Sequence, residues 1–193
     1  LTMQLLTFSK GGLPLKKAVD LSDIIRESAS FSILGPGTRC EVELPGSLPA
    51  VEADEGQISQ VIHNLVINAD QAMPDGGVIR ITAGVAEGQG SGREGRFLRI
   101  RVSDTGKGIE EKNLSKVFDP YFTTKKEGSG LGLATVYSVV KNHGGFIELE
   151  SNLGKGTSFC VYRPPPRSTR ASTLLRYATL FRSRARALAR GGS

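Results

Sequence analysis

The sequence predicts an α/β fold, a two-layer α/β sandwich in which a mixed, mostly antiparallel sheet has about three helices packed on one face. Two long segments, 55–73 and 131–140, have the apolar spacing of helices. Because the order of elements does not repeat strand–helix–strand, a doubly wound parallel sheet is not expected. Strand-like segments occur in hairpin-linked pairs: 77–83 with 96–102, and 146–150 with 157–162.

The first twelve residues predict the end of a longer helix. Leu1, Leu5 and Phe8 share one face, and Gly11 and Gly12 stop the pattern. A free helix of three turns is marginal in water, so we expect this piece to pack against a segment outside this chain. The alternative, a helix lying on its own domain, stays open. We therefore assign residues 1–12 to the end of a longer helix with its linker, and 13–165 to one domain.

The first half of that domain predicts short strands at 18–21, 39–44 and 49–53. Ser22 is expected to cap the helix that follows the first strand. Asp54 is expected to cap the long helix 55–73, and Pro74 with the glycines after it closes that helix. The glycine-rich run 87–95 predicts the loop of the first hairpin.

The net charge of +6 comes from the C-terminal tail. Residues 167–193 contain seven arginines and no acid, so the other residues hold 18 basic and 19 acidic side chains. The body therefore gives no support to a nucleic-acid partner. Segment 173–183 is similar to the translation of a sequencing adapter, so we expect 166–193 to be disordered or an artefact. A basic arm that touches membrane or nucleic acid is the alternative.

Two glycine clusters lie about twenty residues apart in the middle of the chain. An apolar strand runs into Asp104 and then Gly106 and Gly108, whereas Gly128 and Gly130 precede an apolar helix. Glycines allow a close approach of the backbone, and the start of a helix offers unpaired N–H groups to an anion. A carboxylate at one end and a phosphate cradle at the other predict a nucleotide between them.

Four blocks in order make the prediction specific. They read NLVINADQA at 64–72, DTGKGI at 104–109, FDPYF at 118–122 and GSGLGL at 128–133. They resemble the asparagine box, first glycine box, phenylalanine box and second glycine box of sensor histidine kinases, in the GHKL superfamily with its Bergerat-type ATP site. The resemblance spans about residues 15–163 and implies a domain that binds ATP and Mg²⁺.

The resemblance implies a role for each matching position. Asp104 would accept a hydrogen bond from the adenine amine, and Asn68 would be the Mg²⁺ ligand, since a hard cation takes neutral oxygen. Phe118, Pro120 and Phe122 would hold the base of a lid over the nucleotide. Residues expected in catalysis are Asn64, Asn68 and Lys125. Nucleotide-binding positions are Asn64, Asn68, Gln71, Asp104, Gly106, Lys107, Gly108, Ile109, Phe118, Phe122, Thr123, Thr124, Lys125, Lys126, Gly128, Ser129, Gly130, Leu131, Gly132, Leu133 and Thr157.

Some of these assignments stay open at this level. Asn68 and Gln71 have a core or capping role as their alternative, and Lys125 and Lys126 have simple solvation. Asn64 stands where hydrolysing relatives of the superfamily have a Glu that activates water. An amide cannot take that proton, so we expect slow hydrolysis and transfer to another acceptor.

Neither histidine has the sequence context of a phosphoacceptor, which should be followed by an acid on an exposed helix. We expect core packing or capping for both His63 and His143. The resemblance implies that the acceptor lies on a histidine-bearing dimerisation domain absent from this chain, and that residues 1–12 are the end of a dimerisation helix with its linker. The parent would be a homodimer, and a response regulator receiver domain would be the next partner. The domain is expected in the cytoplasm without membrane contact. Alternative functions are an anti-sigma-type serine kinase, an ATP-hydrolysing relative or a non-catalytic nucleotide-binding module.

Overall fold

The computed structural model describes residues 14–32, 35–88, 95–125 and 128–164. A five-stranded sheet has the strand order β2-β4-β5-β7-β6, with β2 and β4 parallel and every other neighbouring pair antiparallel. A two-stranded antiparallel sheet is formed by β1 and β3. The strands are β1 Lys17–Val19, β2 Thr38–Glu43, β3 Val51–Ala53, β4 Gly77–Gly88, β5 Gly95–Asp104, β6 Phe146–Asn152 and β7 Gly156–Arg163.

Three longer helices and one short helix accompany the sheets in the described part of the chain: α1 Leu21–Ser30, α2 Glu55–Asp70, α3 Glu111–Leu114 and α4 Gly132–Asn142. The core lies between the longer helices and one face of the five-stranded sheet. Leu98, Ile100 and Val102 of β5 are buried at every second position, as expected for a strand with one covered face. Ile62 of α2 and Val136 of α4 are fully buried in the same core. The predicted α/β sandwich is thus confirmed.

The cap predicted for α2 is present, and the cap predicted for α1 was placed two residues too late. The Asp54 carboxylate accepts a hydrogen bond from the Gln57 backbone N–H. At α1 the N-cap is Asp20, whose carboxylate accepts from the N–H of Ser22 itself. Both side chains can cap a helix, and the position of the β1 end decides between them.

His63 is not in the core, contrary to the prediction. It is exposed on α2 between buried Ile62 and half-buried Asn64, with Nδ1 3.4 Å from the Ser32 hydroxyl. His143 is buried at the C-cap of α4, as predicted. Its Nδ1 lies 2.9 Å from the Val139 carbonyl oxygen, and its Nε2 accepts from the Asp54 N–H at 3.1 Å.

Several predictions fall outside the described residues. These are the helix at 1–12, most of the hairpin loop 87–95 and the tail 166–193, so the domain boundaries stay predictions. Within the described residues, no helix is both long enough and apolar enough to cross a bilayer.

Candidate functional site

A cavity of about 560 Å³ opens between α2, the ends of β5 and β7, and the loop segments that connect β5 to α4. This volume lies in the range of ordinary small-molecule sites. Asp104, Asn68 and Gly130, which come from three separate sequence blocks, all line it. The fold therefore brings the blocks together around one space.

Asp104 stands at the last position of β5 and lines the cavity. Only 9% of the residue is exposed, and its Oδ1 accepts from the N–H groups of Gly106 (2.8 Å) and Thr157 (3.2 Å). Among the described residues, no donor contacts Oδ2. Burial raises the pKa of the Asp104 carboxyl, although both N–H donors and the Lys125 charge oppose that change. One oxygen is thus fixed by the protein and the other can accept from a ligand.

The floor beneath Asp104 is a small hydrogen-bonded network. The Ser151 and Thr157 hydroxyls lie 3.0 Å apart, and the Ser151 oxygen accepts from the Ile109 N–H at 2.9 Å. The loop after β5 is therefore joined to the β6–β7 hairpin. This network positions Ile109 and Thr157 in the cavity wall.

The glycines after Asp104 serve protein contacts. Gly106 does not line the cavity, and a Cβ there would lie 2.6 Å from the Ala72 carbonyl oxygen. Gly108 has φ of 71°, and a Cβ there would collide with the Asn152 carbonyl oxygen. Close packing of this loop on the turn after α2 and on the end of β6 thus accounts for both glycines, and the backbone approach to a base stays a prediction.

Three further polar residues form a hydrogen-bonded cluster in the cavity wall. The Lys125 ammonium lies 3.1 Å from Oδ1 of Asn68 and 2.6 Å from Oε1 of Gln71. The Asn68 amide nitrogen donates to the backbone oxygen of Asn64, one turn earlier, at 2.9 Å. Burial lowers the pKa of Lys125, and the Lys107 charge lowers it further.

The start of α4 faces the same residues of α2. A Cβ on Gly132 would lie 3.5 Å from the Asn68 amide nitrogen and 3.9 Å from Oδ1 of Asn64. The N-cap residue Leu131 makes no side-chain capping bond. The N–H groups of the first turn are therefore beside the asparagines, where an anion would be favoured.

Gly130 allows the loop to close on itself before α4. Its φ is 67°, its carbonyl accepts from the Tyr121 N–H at 2.9 Å, and a Cβ on it would collide with the Tyr121 backbone. Tyr121 also has positive φ, 67°, which is uncommon for a bulky residue. This contact brings the phenylalanine-box segment against the second glycine box.

Most of the residues predicted for binding line the cavity, and their binding roles stay predictions. Three do not line it: Gly106, Phe118 and Leu131. Lys126 lies outside the described residues. The predicted positions in the cavity wall are Asn64, Asn68, Gln71, Asp104, Lys107, Gly108, Ile109, Phe122, Thr123, Thr124, Lys125, Gly128, Ser129, Gly130, Gly132, Leu133 and Thr157.

Phe118 and Leu131 act through packing. The Phe118 ring lies 5.6 Å from that of Tyr137 and 6.3 Å from that of Phe159, measured between centroids, and Leu131 is only 3% exposed. Pro120 is exposed and does not hold the loop base in the core. Large apolar side chains next to the sheet gain more from burial than from contact with an open cavity.

The cavity also has lining residues that sequence reasoning missed. Two had a usable signal: Ile67 is three residues after Asn64 on α2, and Phe159 is two after Thr157 on β7. The others lie in loops or on the short helix, where no period applies. The missed residues are Ile67, Ala72, Glu110, Asn113, Val117, Leu153 and Phe159.

Comparisons with known proteins agree with this geometry. Residues 53–168 match the family described as histidine kinase-, DNA gyrase B-, and HSP90-like ATPase. The sensor histidine kinase ZraS of Escherichia coli K12 is 40% identical over 152 residues, which cover 77% of this chain and 31% of ZraS. The sensor kinase CckA of Brucella abortus is 35% identical over 175 residues, covering 85% of this chain and 18% of CckA. The chain thus spans about a third or less of these relatives.

Two solved structures have the same fold. The catalytic domain of the histidine kinase ThkA has a TM-score of 0.64 and 30% identity, with 80% of this chain and 99% of that chain covered. Full-length ShkA in complex with AMPPNP has a TM-score of 0.70 and 25% identity, with coverage of 84% and 34%.

The sandwich with its cavity defines an ATPase-type nucleotide-binding domain, and the chain belongs to the histidine kinase-, DNA gyrase B- and HSP90-like ATPase family. Within that family it is an ATP-binding domain of the sensor histidine kinase type. The resemblance stated from the four sequence blocks is confirmed.

Proposed function

We propose that the domain presents MgATP for transfer of the γ-phosphoryl group to a histidine on a separate dimerisation domain. The supporting observation is that Asp104 and the cluster of Asn68, Gln71 and Lys125 line one cavity. A carboxylate suits the adenine amine, and the cationic cluster suits the triphosphate. Positioning and charge neutralisation account for most of the catalysis in phosphoryl transfer.

At the adenine end, Oδ2 of Asp104 would accept from the exocyclic amine while Oδ1 stays bonded to Gly106 and Thr157. Guanine presents a carbonyl oxygen at that position, and two acceptors facing each other are unfavourable. The site should therefore prefer ATP to GTP. Ile109 and Phe159 supply apolar walls beside the carboxylate.

At the phosphate end, Asn68 would hold Mg²⁺ through Oδ1. The residue fits that role because its oxygen faces the cavity and already accepts from a cation, the Lys125 ammonium. When bound, the ion would neutralise phosphate charge. The Lys107 and Lys125 ammonium groups and the first N–H groups of α4 would hold phosphate oxygens.

Asn64 lines the cavity one helical turn before Asn68, at the position that carries the base in hydrolysing relatives. Its amide cannot accept a proton from water. The chain would therefore keep the γ-phosphoryl group until an external nucleophile arrives. Neither described histidine serves that role, because His143 is buried and His63 does not line the cavity.

Two measurements test this function. Calorimetry should detect binding of AMPPNP in the presence of Mg²⁺. With γ-labelled ATP, label should stay absent from this chain alone and should appear on a histidine-bearing dimerisation domain of the same protein when that domain is added. Label on this chain alone contradicts the proposal.

The acid stability of the phosphorylated product separates the alternatives. Phosphohistidine is lost in acid, whereas a serine kinase of the anti-sigma type would leave an acid-stable phosphoserine. Rapid release of inorganic phosphate without an acceptor would favour a hydrolysing relative. Nucleotide binding without transfer to any acceptor would favour a non-catalytic module.

In the parent protein, this domain would act within a homodimer and supply phosphoryl groups to a response regulator receiver domain. The similarity to sensor kinases supports these partners, because sensor kinases belong to the two-component class of signalling proteins. The domain itself would work in the cytoplasm.

A further inference from the structure

The Lys125 ammonium occupies the position where a cation bound to Asn68 would lie. It contacts Oδ1 of Asn68 at 3.1 Å and Oε1 of Gln71 at 2.6 Å. Both partners are neutral amide oxygens, and within the described ranges Lys125 has no carboxylate at ion-pair distance. An ammonium is thus held by the same kind of oxygen that a hard divalent cation prefers.

The orientation of Asn68 makes this contact specific. Its amide nitrogen donates to the Asn64 backbone oxygen at 2.9 Å, so Oδ1 is the atom directed towards the cavity. Gly132, at the start of α4, lies on the nitrogen side of the same amide. A Cβ built on Gly132 would be 3.5 Å from the Asn68 amide nitrogen. Rotation of the amide would lose the bond to Asn64 and leave Oδ1 against the helix start.

We propose that Lys125 is a positioning residue that substitutes for Mg²⁺ on Asn68 in the nucleotide-free domain and passes to the phosphate oxygens when the magnesium nucleotide binds. This inference rests on the proposed function. Because Mg²⁺ binds oxygen at about 2 Å, sharing Oδ1 would place two cations roughly 5 Å apart. The two ions therefore alternate on Oδ1, and a phosphate supplies the new partner for the ammonium.

The exchange has a consequence for the free domain. Without a cation on Oδ1, the half-buried amide oxygen of Asn68 would lose its partner, the exposed amide oxygen of Gln71 would return to water, and the loop carrying Lys125 would lose its bonds to both residues. Lys125 keeps the phosphate end assembled before the nucleotide arrives. When the magnesium nucleotide binds, Mg²⁺ replaces the Lys125 ammonium on Asn68, and the ammonium contacts phosphate oxygens instead.

The direct test is the NMR spectrum of the side-chain amides of Asn68 and Gln71 without nucleotide. Lys125→Met is expected to shift both amide signals, since it removes the ammonium and keeps much of the aliphatic chain. Lys107→Met is the matched control: it removes a positive charge from the same cavity, and the hydrogen bonds of the Asn68 side chain within the described residues go to Asn64 and Lys125. After addition of Mg²⁺ with AMPPNP, the Asn68 signals of the wild type and of Lys125→Met should converge.

Calorimetry with AMPPNP, with Mg²⁺ or with EDTA, gives the second readout. For Lys125→Met we expect affinity to fall about tenfold in EDTA, where the lysine is the main counter-ion, and about threefold or less with Mg²⁺. Lys107→Met should lose a similar factor in both conditions.

Unchanged Asn68 and Gln71 signals in ligand-free Lys125→Met would overturn the inference. So would equal affinity losses with and without Mg²⁺ in that variant. If the wild type does not bind AMPPNP at all, the proposed function itself fails. If it binds normally and only the NMR result is negative, the failure belongs to the lysine exchange alone.

Discussion

At the scale of single residues, the two carboxylate oxygens of Asp104 have different roles. Oδ1 accepts the N–H groups of Gly106 and Thr157, which fixes the carboxylate at the end of β5. Oδ2 is left for the ligand. A side chain that still accepted from Gly106 and Thr157, but presented a donor to the ligand in place of Oδ2, would change the base preference and leave the site folded.

Asp104→Asn is such a change. Its Oδ1 can keep both protein donors, and its amide nitrogen would then face the base. We expect ATP affinity to fall about tenfold or more, with a smaller loss or a gain for GTP, since one hydrogen bond is worth about 1–3 kcal/mol in such a buried setting. Calorimetry with both nucleotides measures this. Asp75→Asn, an exposed turn position outside the cavity, is the control, and equal losses for ATP and GTP would contradict the assignment.

At the scale of elements, Asp54 makes three hydrogen bonds at the N-terminus of α2. The Asp54 carboxylate accepts from the N–H groups of Gln57 (3.1 Å) and Leu15 (3.0 Å), and its own N–H donates to His143. It thus joins the helix that carries the asparagines to the start of the domain and to the end of α4.

Removal of the Asp54 side chain should destabilise the domain without touching the cavity. Asp54→Ala loses both acceptor contacts and keeps the N–H bond to His143, so we expect a loss of about 1–2 kcal/mol in the free energy of unfolding. Denaturant unfolding measures it. Asp54→Asn retains an acceptor and should lose less, and a larger loss for Asn than for Ala would argue against capping as the cause.

His143 makes the same junction sensitive to acid. Burial lowers the pKa of His143 below its ordinary 6.5, with further lowering from Arg163 and Lys16, while the Val139 carbonyl and Asp54 oppose it. A protonated Nε2 would also direct its N–H at the Asp54 N–H. Since the folded state binds the proton more weakly than the unfolded state, this stabilisation is complete above pH 6.5 and is lost as pH falls below it.

The expected result is a smaller free energy of unfolding at about pH 5.5 than at about pH 7.5, with part of that difference removed in His143→Gln. Urea unfolding at both pH values measures it. His63→Gln is the matched histidine control, because that residue is exposed on α2. Loss of the difference in the His63 variant, with none in the His143 variant, would contradict the assignment.

At the scale of the whole molecule, sequence reasoning succeeded where a feature depends on near neighbours. The spacing of buried Ile58, Ile62 and Leu65 predicted α2. The same spacing places His63 on the outer face of that helix, a signal that was available and was not used. The four ordered blocks predicted the cavity because residue type and backbone freedom are both local properties.

The features that sequence reasoning did not reach depend on tertiary position. Lys125 and Asn68 are 57 residues apart, and their contact follows from how the loop returns to α2. Likewise, nothing in the alternation of β2 specifies a parallel neighbour, since an edge strand can pair in either direction.

The connection between β2 and β4 contains α2, and this determines when the backbone hydrogen bonds of that helix can break. A parallel pair needs a long crossover, and in this domain Thr38 lies opposite Gly77 while the intervening chain forms β3 and α2. We expect the buried half of α2, around Ile62 and Leu65, to exchange its amide protons only through global unfolding. Hydrogen exchange at several urea concentrations tests this; exchange there that is independent of urea would refute it.

A bound nucleotide would thus contact two surfaces that differ in how readily they can change conformation. One is α2, which lies within the connection between two paired strands of the five-stranded sheet, so we expect it to separate from the sheet only when the domain unfolds. The other is a stretch between Asp104 and Gly132 that borders a sheet strand on one side only. We expect any conformational change on binding or release of the ligand to occur in that second surface.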